Sequence, residues 1–249
     1  MADMIVRDVE YSHDGSRMLG YLCAPSAAVQ LPGIVLVHDA FGLNEDMIGI
    51  ARRYAALGFA VFAADVWGDR TTPTSGAEIG PLIGGMVRNR NSWLGRIRAA
   101  HDVAAEQPEI NGAALVTIGY CFGGSSALEH VRTGGDVLGA VSVHGGLDLL
   151  DPSWDQPATA ARVLLCTGAD DPMATAEMRS QLQESMSGAG LDWELDLYSD
   201  TQHAFTNPRS DAPGMPDGVA YNPRSADRAW KSTKRFLGEL FPHLDQGAE

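Results

Sequence analysis

The chain has 249 residues, 45% of them hydrophobic and 20% charged, a composition typical of a globular protein with one substantial core. Its formal net charge of −14 argues against nucleic acid or an anionic membrane as a partner, but does not determine the charge of a local pocket. The N-terminal residues lack a basic cluster followed by an apolar core, and the sequence has no apolar run of about 18 residues, so we expect a cytoplasmic protein.

In chain order, the sequence begins with a predicted β-hairpin, in which residues 4–11 and 17–24 alternate loosely around a turn at 12–16. Further strands are predicted at 33–38, 59–64, 114–119, 137–143, 162–167 and 192–198. Helices are predicted at about 45–57, from 81 or 83 to 106, at 125–131, and at about 174–187 and 224–240. A loop at 69–80, rich in Thr, Pro and Gly, has the length expected near a binding site.

Strands that alternate with helices predict a mostly parallel sheet with helices on both faces, and we expect one domain over residues 1–249. In such sheets, reactive groups collect at the carboxyl ends of the strands. The acidic, thiol and imidazole groups that fall at or just beyond predicted strand ends are Asp39, Cys121, Asp170 or Asp171, and His203. Cys23 and Cys166, by contrast, lie within predicted strands and are expected to be core residues.

Cys121 lies in the stretch Ile118-Gly-Tyr-Cys-Phe-Gly-Gly124, between a buried strand and a helix. This is the pattern of a nucleophile elbow, in which flanking glycines permit a tight turn that exposes the reactive side chain. A thiol there would be favoured as thiolate by the N-terminus of the following helix, whose N–H groups could also stabilise an oxyanion. The pattern alone is equally consistent with a buried cysteine near a glycine-rich turn.

The order of the candidates along the chain is nucleophile, acid and histidine, which is the order of the α/β-hydrolase fold. A free thiol is only slightly ionised at neutral pH, so a base is required. His203 would act as general base and then as general acid, with a carboxylate orienting its ring. Taken singly, His203 could be a solvated loop residue, and Asp170-Asp171 could be an ordinary turn.

The sequence resembles the dienelactone hydrolase family over nearly its whole length. The matching segments are 38–43 (HDAFGL), 119–124 (GYCFGG), 168–171 (GADD) and 203–205 (HAF). The resemblance implies an α/β-hydrolase fold with Cys121 as nucleophile, Asp171 as triad acid and His203 as base. It also implies an oxyanion hole formed by the backbone N–H groups of Phe122 and Ala40.

The family's usual acidic residue near the resting thiol corresponds to Asp39, which is commonly glutamate in the family and could alternatively cap the following turn. Phe41 is a further candidate substrate-binding residue. Trp67 and Phe205, near strand ends, could line the pocket or belong to the core. Asn207 occupies the position of an arginine that binds the substrate carboxylate in characterised family members, whereas Arg88 and Arg90 could supply charge or lie on a solvated helix face.

We therefore expect a hydrolase that cleaves a small ester or an enol lactone through a thioester on Cys121, with no metal or cofactor. Another carboxylesterase or thioesterase activity is the alternative within hydrolases. A non-catalytic ligand-binding protein is the alternative outside them, because a fold alone does not determine function. The expected partner is a small molecule, and the sequence does not indicate an oligomeric state.

Overall fold

The computed structural model describes residues 3–27, 29–158, 160–212 and 215–244. Residues 1–2 and 245–249 of the predicted domain lie outside the described residues. The strands are β1 (Met4–His13), β2 (Ser16–Pro25), β3 (Leu31–Val37), β4 (Ala60–Ala64), β5 (Ile110–Tyr120), β6 (Gly139–Val143), β7 (Arg162–Gly168) and β8 (Asp192–Tyr198). The α-helices are α1 (Glu45–Ala55), α2 (Gly76–Arg88), α3 (Arg90–Ala105), α4 (Phe122–Arg132), α5 (Ala176–Gly188) and α6 (Pro223–Leu240).

These strands form an eight-stranded sheet in the order β1-β2-β4-β3-β5-β6-β7-β8. The β1–β2 hairpin pairs antiparallel to β4, and all pairings from β4 to β8 are parallel. The predicted mostly parallel sheet is therefore confirmed. Because the parallel strands run in one direction, the carboxyl ends of β3, β5, β6 and β7 lie along the same edge of the sheet.

Helices cover both faces of this sheet, which explains why the central strands are apolar along their whole length. The core on one face contains side chains of α1 and α6, with Tyr54 and Phe236 among the largest that are fully buried. The core on the other face contains side chains of α3, α4 and α5, including Trp93. Within the described residues, no helix combines the length and the apolarity needed to cross a membrane.

The prediction of one long helix up to residue 106 is wrong, because two helices, α2 and α3, occupy this segment. Asn89 separates them with φ −118° and ψ 71°, which are not helical angles. Its side chain accepts a hydrogen bond from the Ser92 N–H and so caps the second helix. A second difference lies at the elbow, where α4 begins at Phe122 rather than near residue 125. The helix N-terminus therefore lies directly beside Cys121.

Candidate active site

Cys121 occupies a strained turn between β5 and α4. Its backbone angles are φ 53° and ψ −118°, a region that non-glycine residues rarely adopt. The neighbouring backbones approach so closely that a Cβ atom on Gly123 would lie 2.2 Å from the Val37 carbonyl oxygen, and one on Gly119 would lie 1.8 Å from the Gly123 oxygen. Glycine is required at both positions for this reason. Cys121 itself is partly exposed.

The structure brings the Cys121 thiol, the His203 ring and the Asp171 carboxylate into one hydrogen-bonded chain. His203 Nε2 lies 3.1 Å from Cys121 Sγ, and His203 Nδ1 lies 2.9 Å from Asp171 Oδ2. Both His203 and Asp171 are buried, each with 2% of its surface exposed. Asp170 is exposed and makes a backbone hydrogen bond to Thr201. The geometry therefore pairs the histidine with the second of the two aspartates.

Local contacts hold the Asp171 turn in place. Asp171 Oδ1 accepts a hydrogen bond from the Met173 N–H at 2.8 Å, which fixes the carboxylate plane. The buried side chain of Arg179, on α5, donates to the backbone carbonyls of Gly168 and Ala174 on either side of the turn. These contacts leave Oδ2 directed at the imidazole.

The electrostatics of His203 favour its protonated form. Burial opposes a charge on the ring, but the adjacent Cys121 sulfur and the Asp171 carboxylate outweigh it and raise the pKa of His203 to about 10. The sulfur also lies at the N-terminal end of α4, where the helix dipole favours negative charge. The arrangement therefore suits a thiolate beside an imidazolium.

Within the described part of the chain, two backbone N–H groups of the site lack an acceptor: that of Phe122, the residue after Cys121, and that of Ala40, which lines the same cavity as Cys121. Phe122 is the first residue of α4, so its N–H has no helical partner. The Ala40 N–H belongs to the same trans peptide as the Asp39 carbonyl, and the two point in opposite directions. His38 Nδ1 lies 2.7 Å from that carbonyl oxygen, while His38 Nε2 accepts from the Val66 N–H. His38 thus fixes the orientation of the Ala40 N–H.

A cavity of about 610 Å³ opens beside the thiol, between α1 and α6. Asp39, Ala40, Phe41 and Cys121 all line it, so the structure brings these candidate residues to one cavity. Asp39 Oδ1 accepts a hydrogen bond from the Phe41 N–H at 2.9 Å, so Asp39 also caps its own turn. Burial raises the pKa of Asp39 to about 6, although the Phe41 N–H acts in the opposite direction.

Trp67 and Phe205, in contrast, lie in the core and do not line the cavity. The Trp67 ring packs 4.6 Å from that of Phe122, and its indole N–H donates to the Ala40 carbonyl at 3.3 Å. Phe205 is fully buried because Ala204, with φ 56°, turns the chain so that residues 204 and 206 line the cavity and residue 205 points inward. The expectation that Trp67 and Phe205 contact the substrate is therefore corrected: both side chains pack in the core and support the residues that line the cavity.

The arginines that were expected to supply charge do not lie at the cavity. Arg88 is exposed, and Arg90 is paired with the buried Glu129 at 3.1 Å, so neither lines the cavity. Among the described residues, the arginine that lines it is Arg53, whose guanidinium lies 4.1 Å from the centroid of the Trp230 ring. Arg53 follows no strand, and the sequence therefore offered no signal for it.

His144 is a second histidine of the site, and the sequence pattern predicted no role for it. It lies directly after β6, so the rule that reactive groups follow parallel strands would have found it. Its Nδ1 lies 3.1 Å from the Cys121 backbone nitrogen, and its Nε2 lies 2.8 Å from Thr206 Oγ1. The His144 and His203 rings are 5.5 Å apart.

A model of the dienelactone hydrolase family matches residues 18–241. A relative in Salmonella typhimurium, provisionally named carboxymethylenebutenolidase, is 27% identical over 203 residues, covering 77% of this chain and 74% of the relative. The solved structure of a dienelactone hydrolase-like promiscuous phosphotriesterase from metagenomic libraries has a TM-score of 0.89 at 34% identity, covering 95% of this chain and 98% of its own. A dienelactone hydrolase of Anabaena variabilis shares the fold, with a TM-score of 0.63 at 18% identity, and covers 94% and 97% of the two chains.

Proposed function

Because the chain belongs to the dienelactone hydrolase family, we propose that this hydrolase cleaves a small ester or enol lactone by acyl transfer to Cys121. The observation that carries the proposal is the chain of short contacts from Cys121 Sγ to His203 Nε2 and from His203 Nδ1 to Asp171 Oδ2, at 3.1 and 2.9 Å. Its order of groups and its distances match the requirements of nucleophilic catalysis by an activated thiol.

In the first half of the reaction, the Cys121 thiolate attacks the carbonyl carbon, and the carbonyl oxygen becomes an oxyanion. The N–H groups of Ala40 and Phe122 are the donors available to that oxygen. The intermediate collapses by breaking the ester C–O bond, and the leaving oxygen takes the proton from His203 Nε2. The acyl group then remains on Cys121 as a thioester.

In the second half, His203 removes a proton from a water molecule, which attacks the thioester carbon. Collapse of this second intermediate breaks the C–S bond, releases the carboxylic acid and restores the thiolate beside the imidazolium. Asp171 holds the ring and stabilises its positive charge in both halves.

The charge of the cavity bears on the choice of substrate. Its lining includes the carboxylates of Asp39, Glu45, Asp46 and Asp227 and one arginine, Arg53. An enol lactone that carries a carboxylate would have to reach Arg53, since the Asn207 amide is neutral. Neutral esters have no such requirement, so a screen should compare a carboxylated enol lactone with its methyl ester, an acyl thioester and an aryl phosphotriester.

The proposal is tested by replacing the nucleophile. We expect Cys121→Ala to lower kcat/KM on p-nitrophenyl acetate at least about a thousandfold, because the substitution removes the sulfur that the acyl group would occupy. Cys166→Ala is the matched control, since its thiol is buried in β7 away from the cavity, and it should retain activity. Intact-protein mass spectrometry after rapid mixing should detect an acetyl adduct on the wild type and on Cys166→Ala, but not on Cys121→Ala. Full activity in Cys121→Ala would refute the mechanism.

A further inference from the structure

His144 connects the turn that presents the thiol to the loop that carries His203. Its ring is buried, with 2% of the residue exposed, and lies between the Cys121 backbone and Thr206. The residue has φ 40°, a left-handed conformation in which histidine, asparagine and aspartate are the better-tolerated side chains. A strained backbone at a buried polar residue indicates a specific role for that side chain.

The proton positions on this ring follow from its partners. The Cys121 backbone N–H can only donate, and it is shared between the Val143 carbonyl at 3.0 Å and His144 Nδ1 at 3.1 Å. Nδ1 must therefore be unprotonated, and in the neutral ring the hydrogen is on Nε2. Burial and the charge of His203 lower the pKa of His144 well below its ordinary value, so the ring stays neutral beside the imidazolium.

The hydroxyl of Thr206 is constrained in turn. It accepts the Nε2–H of His144 at 2.8 Å, so its own hydrogen is directed elsewhere. Among the described residues, this hydroxyl makes no other hydrogen bond, and Thr206 lines the cavity next to Asn207. The hydroxyl hydrogen is therefore available on the side where the substrate binds.

We propose that Thr206 is a substrate-binding residue whose hydroxyl donates a hydrogen bond to an oxygen of the bound ester or lactone. His144 is its positioning residue, because the Nε2–H occupies the acceptor side of the hydroxyl and leaves the donor side toward the cavity. This inference rests on the proposed function and adds a specificity contact that lies outside the triad.

The test is a double-mutant cycle on p-nitrophenyl acetate hydrolysis. Thr206→Val removes the hydroxyl at nearly constant shape, and we expect kcat/KM to fall about 3- to 10-fold, the range for one neutral hydrogen bond. Thr206→Ser should recover most of that loss. His144→Asn keeps the acceptor for the Cys121 N–H and suits the left-handed backbone, but removes the donor to Thr206.

If His144 acts through Thr206, then Thr206→Val has little further effect in the His144→Asn background. Equal fold-losses in both backgrounds would overturn the positioning role, and an unchanged kcat/KM in Thr206→Val would overturn the substrate contact. Melting temperatures of all variants separate these results from loss of fold, because a purely structural role would lower stability without the selective change in kcat/KM. A wild type without Cys121-dependent activity would instead refute the proposed function.

Discussion

The environments of Cys121 and Cys166 illustrate how differently one residue type behaves at the edge of the sheet and inside it. Cys166 lies within β7, is fully buried, and its pKa is raised to about 12 chiefly by burial. Cys121 follows β5 at the carboxyl edge, is partly exposed, and lies 3.1 Å from an imidazole. Because the two side chains are identical, the differences in their exposure and neighbouring groups come from their positions in the fold.

Backbone conformation also differs between the carboxyl edge of the sheet and its interior. At the carboxyl edge, three non-glycine residues of the site have positive φ: Cys121, His144 and Ala204. Inside the sheet, β6 and β7 pair in regular parallel register. Where the ladder of backbone hydrogen bonds ends, the chain can adopt strained conformations that aim side chains at a common point.

Thiol alkylation should show the largest difference between the two regions. With iodoacetamide at pH 7, we expect Cys121 to react at least about a hundredfold faster than Cys166 or Cys23, whose thiols are buried and un-ionised. His203→Asn should slow only the Cys121 reaction, since it removes the group that stabilises the thiolate. Peptide mass spectrometry over time measures the three rates. Equal alkylation rates at the three cysteines would show that Cys121 is no more reactive than the two buried thiols.

A glycine substitution tests the packing of the edge. Gly123→Ala would place a Cβ atom 2.2 Å from the Val37 oxygen, so we expect a loss of about 2 to 4 kcal/mol in the free energy of unfolding, together with loss of esterase activity. Gly85→Ala is the matched control, because it lies in α2 with no atom within 4 Å of the added Cβ. That control should be neutral or more stable by up to about 1 kcal/mol. If urea unfolding gives the two variants the same free energy of unfolding, then the Gly123 backbone does not approach the Val37 oxygen as closely as the structure shows.

A smaller effect concerns the cost of burying Asp39. The pKa of Asp39 is raised in the folded state to about 6, so the folded protein binds this proton more tightly than the unfolded chain does. The resulting contribution to the free energy of unfolding is present at low pH and is lost as the pH rises through 6. Asp39→Asn should therefore be more stable than the wild type by about 1 to 3 kcal/mol at pH 8, with the difference vanishing near pH 3. Urea unfolding midpoints of the wild type and Asp39→Asn at pH 3 and pH 8 measure this difference in stability. A difference that is the same at both would show that ionisation is not the cause.

The residue pattern predicts the sheet, the elbow at Cys121 and the candidates His203 and either Asp170 or Asp171, because strand alternation and glycine spacing are local properties of the chain. The choice of Asp171 over Asp170 came from the family resemblance. Which side chains meet is visible only in the folded structure. It paired His203 with Asp171 rather than Asp170, and it placed Phe205 in the core and Thr206 at the cavity. Those outcomes depend on a left-handed turn and on contacts between segments distant in sequence, neither of which a pattern of residue types specifies.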